Sequence, residues 1–138
     1  MAESFLDVEI AQFLKTSGFG SLHSDPVPVL RRVLHVGEEP ESPDHVITVL
    51  EEGGGPPILT LAEARSFTVR VRHSDYLTAK ETAQRIHRAF QEEQGILSPA
   101  IMVARVTANS NPIHLGRDES KRHLFTQTFT ALVKQLQP

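Results

Sequence analysis

Residues 123–133, HLFTQTFTALV, alternate with a period of two. His123, Phe125, Gln127, Phe129, Ala131 and Val133 fall on one side of an extended chain; Leu124, Thr126, Thr128, Thr130 and Leu132 fall on the other. A strand with an aromatic face and a threonine face belongs to a sheet buried on one side, its polar side turned to solvent or to a partner. The expected strand spans about 122–133. The rest of the chain must then supply a single apolar layer to cover the aromatic side.

Two stretches have the right periodicity to be that layer. Leu6, Ile10, Phe13 and Leu14 form one helical stripe, predicting a helix over about 4–16. Ser4 is placed to cap it, with Asp7 in the capping-box position, and Gly18 and Gly20 stop it. Ala79, Ala83, Ile86 and Phe90 make a second one-sided stripe, predicting a helix over about 75–92 that begins at Ser74 or Asp75 and ends by Gly95. Between them, VLRRVLHV (29–36), HVITVLE (45–51) and ARSFTVRVRH (64–73) read as strands; the last sets Phe67, Val69 and Val71 against Thr68, Arg70 and Arg72. AIMVARVT (100–107) reads as one more. The order is α-β-β-β-α-β-β. Short turns join the three strands between the helices, so hairpins with antiparallel pairing are expected there. The fold class that follows is α+β: a two-layer sandwich with a mainly antiparallel sheet of about five strands and both helices on one face. At 138 residues the chain is expected to be a single domain, 1–138.

Composition narrows the function classes. There is no cysteine, which excludes disulfides, thiolate nucleophiles and Cys-ligated metals. No apolar run approaches the ~18 residues of a membrane span. The opening MAESFLDVEI carries acids where a signal peptide would carry bases, so synthesis and use in a cytoplasm, or in an assembly later released from one, is expected. The formal net charge of -3 argues against broad nucleic-acid affinity. The charge is unevenly spread: residues 1–69 carry -7 and residues 70–138 carry +4. Such a split either complements a second copy head to tail or cancels where the halves interleave in space.

Chemistry-bearing patterns are sparse. The seven histidines are His23, His35, His45, His73, His87, His114 and His123. None forms an HxH or HExxH pair, and scattered surface or edge histidines are the plain reading. His114 and His123 do flank a loop holding Asp118 and Glu119, the one place where a His/carboxylate cluster is conceivable. EEGGGPPI lacks the lysine of a phosphate-binding loop and follows acids, so it reads as a hairpin tip. Arg70 and Arg72 share a strand face without aromatics beside them, which favours an ion-paired face over a nucleic-acid stripe. No GxSxG turn frames a serine. No catalytic residue, cofactor site or metal set is assigned. What remains is HLGRDESKR, residues 114–122: Gly116 for a turn, then Arg117, Asp118, Glu119, Ser120, Lys121 and Arg122. It is either a solvated hairpin tip or a contact loop, because charges this dense are costly to bury unless a partner satisfies them.

Three stretches in this order carry a family likeness: GEEPESPDHVITVLEEGG, SFTVRVRHSDYLTAKETAQRIHRAF and NPIHLGRDESKRHLFTQTFTALV. With the acidic, leucine-containing first helix, the chain resembles, over about 5–133, the tail terminator family: minor capsid or tail-completion proteins of long-tailed, siphovirus-type bacteriophages. The resemblance implies a structural virion protein, not an enzyme, with no cofactor. It implies a homo-oligomeric ring, expected hexameric, that caps the last ring of the tail-tube protein, stops tube growth and presents its other face to the head connector or stopper protein. DNA would only pass through the lumen, no membrane is involved, and assembly would take place in the host cytoplasm before residence in the virion at the head–tail junction. Only a role carries over to matching positions: Gly116, Arg117, Asp118 and Glu119, with the adjoining Lys121 and Arg122, as candidates for subunit or tube contact. The histidine content and the DPVP stretch at 25–28 depart from the family pattern, which leaves local structure at 23–29 open. The alternatives are another neck component such as a stopper, a small metal-dependent enzyme using His114, His123 and Asp118, and a ligand-binding α+β domain.

Overall fold

The alternating stretch at the end of the chain becomes the longest strand of the sheet, and everything else is arranged on its two sides. The structure is a computed structural model and describes residues 5–28, 31–52, 57–58, 62–92, 96–97 and 101–135. In chain order the elements are α1 (Leu6–Thr16), β1 (Leu34–Val36), β2 (Val46–Glu51), β3 (Pro57–Ile58), β4 (Ala62–His73), α2 (Tyr76–Glu92), β5 (Ile96–Leu97), β6 (Ile101–Ala108), β7 (Ile113–Arg117) and β8 (His123–Gln135). The sheet runs β1-β2-β4-β8-β6-β5, with β3 added on β4 and β7 on β8. This is the α+β two-layer arrangement that the periodicities predict, with both helices on one face of the sheet.

The register explains the layers. β4 and β8 are antiparallel with Phe67 opposite Phe129, Val69 opposite Gln127 and Val71 opposite Phe125, so their inward residues coincide. On β2, Ile47 and Val49 lie opposite Val71 and Val69 and extend the same apolar face. α1 lies over β1 and β2, and α2 over β4, β6 and β8. Leu6, Ile10, Ala11 and Leu14 from α1 and Ala79, Ala83, Ile86 and Phe90 from α2 are buried in one continuous core with that face. Phe90 is its centre: its ring centroid lies 5.0 Å from Phe13, 5.6 Å from Phe67 and 4.8 Å from Phe129. It therefore joins both helices to both central strands.

The helix ends follow their local chemistry. Asp75 caps α2, its Oδ2 accepting from the Thr78 amide at 2.9 Å and the Thr78 hydroxyl at 2.7 Å. α1 begins differently from the expected Ser4 cap: Phe5 occupies the N-cap with no side-chain bond, and Asp7 Oδ1 accepts from the Val8 amide instead. Ser4 itself is outside the described residues. Gly18 ends α1 at φ +91, the left-handed conformation that glycine adopts without strain. Gly20 is fixed by space as well, because a Cβ there would sit 2.0 Å from Val33 Cγ2.

Three features depart from the sequence reading. β1 pairs with β2 in parallel, Leu34 opposite Ile47, where a hairpin was expected. The connecting residues 37–45 do not turn tightly. They loop back across the outer face of the sheet, toward Arg70, Arg72 and Arg122. The strand expected over 29–36 starts only at Leu34: residues 29–30 are outside the described set, and Arg31 and Leu34 bond to Ser21, Ser21 N donating to Arg31 O and Leu34 N to Ser21 O. Finally, the sheet contains β3, β5 and β7 in addition to the five expected strands. Two of these are two residues long, and β7 falls in a stretch that reads as loop in the sequence.

Replacing Phe90 by Ala removes the ring shared by both helices and both central strands. A loss of ~3–5 kcal/mol is expected for such a truncation, to be read from urea unfolding monitored by circular dichroism. Gly20→Ala is expected to cost ~1–3 kcal/mol through forced overpacking in the same assay.

Candidate functional site

HLGRDESKR folds as the end of β7 and the tip of a hairpin. β7 pairs antiparallel with β8, Ile113 opposite Thr126 and Arg117 opposite His123, with a bulge between His114 and Gly116 where Gly116 takes φ +98. Asp118 organises the tip. Its Oδ1 accepts from the amides of Ser120 at 3.0 Å and Arg122 at 2.9 Å, and its Oδ2 accepts from Arg122 Nε at 2.9 Å. Lys121 stands at φ +64, the left-handed turn position. The bond from the Arg122 amide, followed by its guanidinium, holds the Asp118 carboxyl below its ordinary range.

Arg122 is only 6% exposed. Besides Asp118 it donates through Nη1 to the carbonyl of Glu41, and the same nitrogen lies 3.5 Å from Asp44 Oδ1. Arg72, 4% exposed, donates to the carbonyls of Pro43 at 2.7 Å and Asp44 at 3.3 Å. Arg70 pairs with Glu39 at 3.3 Å. Three arginines thus hold the acidic stretch 39–44 across the outer face of β2 and β4. That is why Val46 and Thr48, register partners of Arg72 and Arg70 on that face, are fully buried. Burial lowers the Arg72 pKa, and the Arg122 charge beside it acts in the same direction; a guanidinium stays ionised regardless. The carbonyls and carboxylates of the loop are the compensation these buried cations require.

The uneven charge along the sequence is met in part inside the molecule at this point: Arg70 with Glu39 and Arg122 with Asp44 both join the basic half to the acidic half. The threonine face is also less open than its pattern suggests. Thr68 is buried, donating to Glu52 Oε1 at 2.9 Å and bonding Thr128 at 3.1 Å, and Thr130 donates to Asn109 Oδ1 at 3.0 Å. Thr126, Thr128 and Thr130 remain half-buried.

The six candidate contact residues separate into two groups. Asp118 and Arg122 face inward and build the hairpin, and Gly116 forms the bulge. Arg117, Glu119 and Lys121 are exposed, and none has an ion pair among the described residues. Next to them, Ile113 is 51% and Leu115 53% exposed on the outer side of β7. These two apolar residues were not singled out in the sequence, although their spacing of two beside Arg117 was a usable signal.

The histidines do not form a cluster of three or more with other His or carboxylate groups among the described residues. His114 Nε2 and His123 Nδ1 approach to 3.2 Å, but Asp118 is committed to Arg122. His35 bonds the Arg32 carbonyl and His87 bonds Gln127. A gap lined by Val69, Val71, Ala83, Ile86, Pro112 and Phe125 with Thr126 and Gln127 reaches about 180 Å³ only with its solvent-open mouth included, short of the ~300–1,000 Å³ of ligand pockets. Residues 53–56 of the glycine-rich turn are outside the described residues. Among those described, no helix is long and apolar enough to cross a membrane.

Comparison with known proteins agrees with the fold. Residues 13–135 match a family described as bacteriophage tail terminator protein. Among solved structures, the chain is similar to one from the virion of a native gene transfer agent (GTA) particle, with a TM-score of 0.66, 15% identity, and coverage of 94% of each chain. The chain has no match among curated protein sequences.

Arg122→Ala removes a buried guanidinium and loosens the acidic loop, which Arg70 and Arg72 still hold. A loss of ~2–3 kcal/mol is expected for bonds to a charged group, with faster amide exchange at residues 39–44. For Asp118, the folded pKa lies below the unfolded one, so its contribution is present above the ordinary Asp range of ~3.9 and is lost as pH falls through the lowered value. Protection of the Ser120 and Arg122 amides, measured by hydrogen exchange against pH, is expected to collapse on that acid side, and to be missing at every pH in Asp118→Ala.

Proposed function

Since the chain belongs to the bacteriophage tail terminator family and is by that membership a structural protein of a phage tail, we propose that it is the subunit of a ring that caps the tail tube. The ring, expected hexameric, ends polymerisation of the tube protein and joins the tail to the head connector, leaving a lumen for DNA. Its subunits are made and assembled in the host cytoplasm, and no catalytic step is part of the role. The observation that carries this reading is the family match across residues 13–135.

The geometry supports it in a specific way. A ring subunit must meet a neighbour and a tube end through patches that differ from each other. The β7–β8 hairpin is suited to such contact: its interior is fixed by Asp118 and Arg122, and it holds Arg117, Glu119 and Lys121 outward beside exposed Ile113 and Leu115. A rigid element loses little entropy on docking.

The test is tube polymerisation. Tail-tube protein grown with this chain present should give capped tubes of limited length, with rings at one end in negative-stain images. Monomers that leave tube growth unchanged would remove the reading, and binding to filled heads alone would make the chain a connector component instead. Arg117→Glu and Glu119→Lys are the informative variants, because neither residue has an internal ion pair among those described. Each is expected to weaken capping at least tenfold with the unfolding midpoint unchanged. Asp118 is unsuited to this test, since its replacement also disturbs the hairpin.

A further inference from the structure

We propose that His114 and His123 form a chelating site for one divalent first-row transition cation, of the Cu²⁺, Ni²⁺ or Zn²⁺ class, on the open flank of the β7–β8 hairpin. Six of the seven histidines stand in ring-to-ring pairs: His23 with His35, His45 with His73, and His114 with His123. Only in the last pair do ring nitrogens face each other within hydrogen-bond reach, Nε2 of His114 and Nδ1 of His123 at 3.2 Å. An ion holding two imidazole nitrogens at ~2.0–2.1 Å with tetrahedral angles places those nitrogens roughly 3.3–3.4 Å apart. The pair therefore already has the separation that chelation needs.

The surroundings fix that separation. His114 lies opposite Phe125 in the ladder, on the helix side of the sheet, and the bulge after it re-aims the strand toward His123. The Tyr76 ring, at the start of α2, meets both imidazoles edge to face, with centroids 5.1 Å from His114 and 5.3 Å from His123. Phe125 flanks His114 at 4.8 Å. Both rings are thus held by aromatic contacts, while His114 remains exposed and gives an ion and its water ligands a way in. With both rings neutral, one donates N–H to the other's lone pair. Binding requires the donor to carry its proton on its other ring nitrogen and both rings to tilt toward a common point, after which both lone pairs face the ion and no proton is lost. Two imidazoles select Cu²⁺, Ni²⁺ and Zn²⁺ over Mg²⁺ and Ca²⁺, which take oxygen ligands. Asp118 does not join, because Arg122 and two amides occupy its oxygens, so water fills the remaining positions.

The chain contains its own reporter. Tyr76 is the only tyrosine and there is no tryptophan, so intrinsic emission arises beside the site. Untagged protein titrated with Cu²⁺ should lose tyrosine emission in a saturable curve ending at one equivalent, reversed by EDTA and competed by Zn²⁺. His114→Gln and His123→Gln should each abolish the saturable phase, whereas His23→Gln should leave it intact. Quenching that rises linearly without saturation, or that survives both substitutions in folded protein, would overturn the proposal. Should either variant fail to fold, Zn²⁺ added to the wild-type chain decides by nitrogen NMR. Shifts confined to the His114 and His123 rings support the site, and their absence refutes it. The measurement uses the isolated chain and does not depend on tube capping.

Discussion

The pairing of β4 with β8 is the constraint on which the other features rest. Its ladder runs without a break from Glu63 opposite Val133 to His73 opposite His123. Because side chains alternate with a period of two, a slip of one residue would turn Phe125 and Phe129 to the outside and the threonines to the core. The contact of Phe67 with Phe129, centroids 5.2 Å apart, fixes the register at its middle. Given that register, α2 has an apolar surface to cover, and Arg70 and Arg72 are obliged to point away from it. The outer face of the sheet acquires its cations from this geometry.

Those cations then determine the path of residues 37–44. An isolated acidic loop would stay in water. Here two of the three arginines are themselves buried and need acceptors, and the loop supplies backbone carbonyls as well as carboxylates. A buried charge is costly when unpaired and close to neutral in net effect when well paired, so the arrangement specifies the loop's position more than it adds to stability. It also accounts for the parallel β1–β2 pair: the connection is drawn across the sheet before it re-enters as β2.

The long periodic elements could be read from the chain, since α1, α2, β2, β4, β6 and β8 each carry enough residues for a period of two or 3.6 to show. The elements missed are those in which periodicity has no room, β3 and β5, or is short and broken by a glycine bulge, β7. The direction of β1 depends on arginines distant in sequence, and no local pattern contains that information. The same holds for the hairpin. Arg117, Asp118, Glu119, Lys121 and Arg122 are alike in a string of letters, and only turn geometry divides the two that bond inward from the three left outside. The near-contact of His114 with His123 was partly legible, as two histidines either side of a turn; their nitrogen separation was not.

The link from Arg122 to Glu41 joins residues 81 apart along the chain. Closing a loop of that length before the sheet exists would be entropically unfavourable and weakly rewarded. The Arg122 link spans the molecule only because β8 lies beside β4 and residues 39–44 cross the outer face next to it. Arg122 thus ties the hairpin at the far end of the chain to a loop from its first half, so disturbing either one removes a partner from the other.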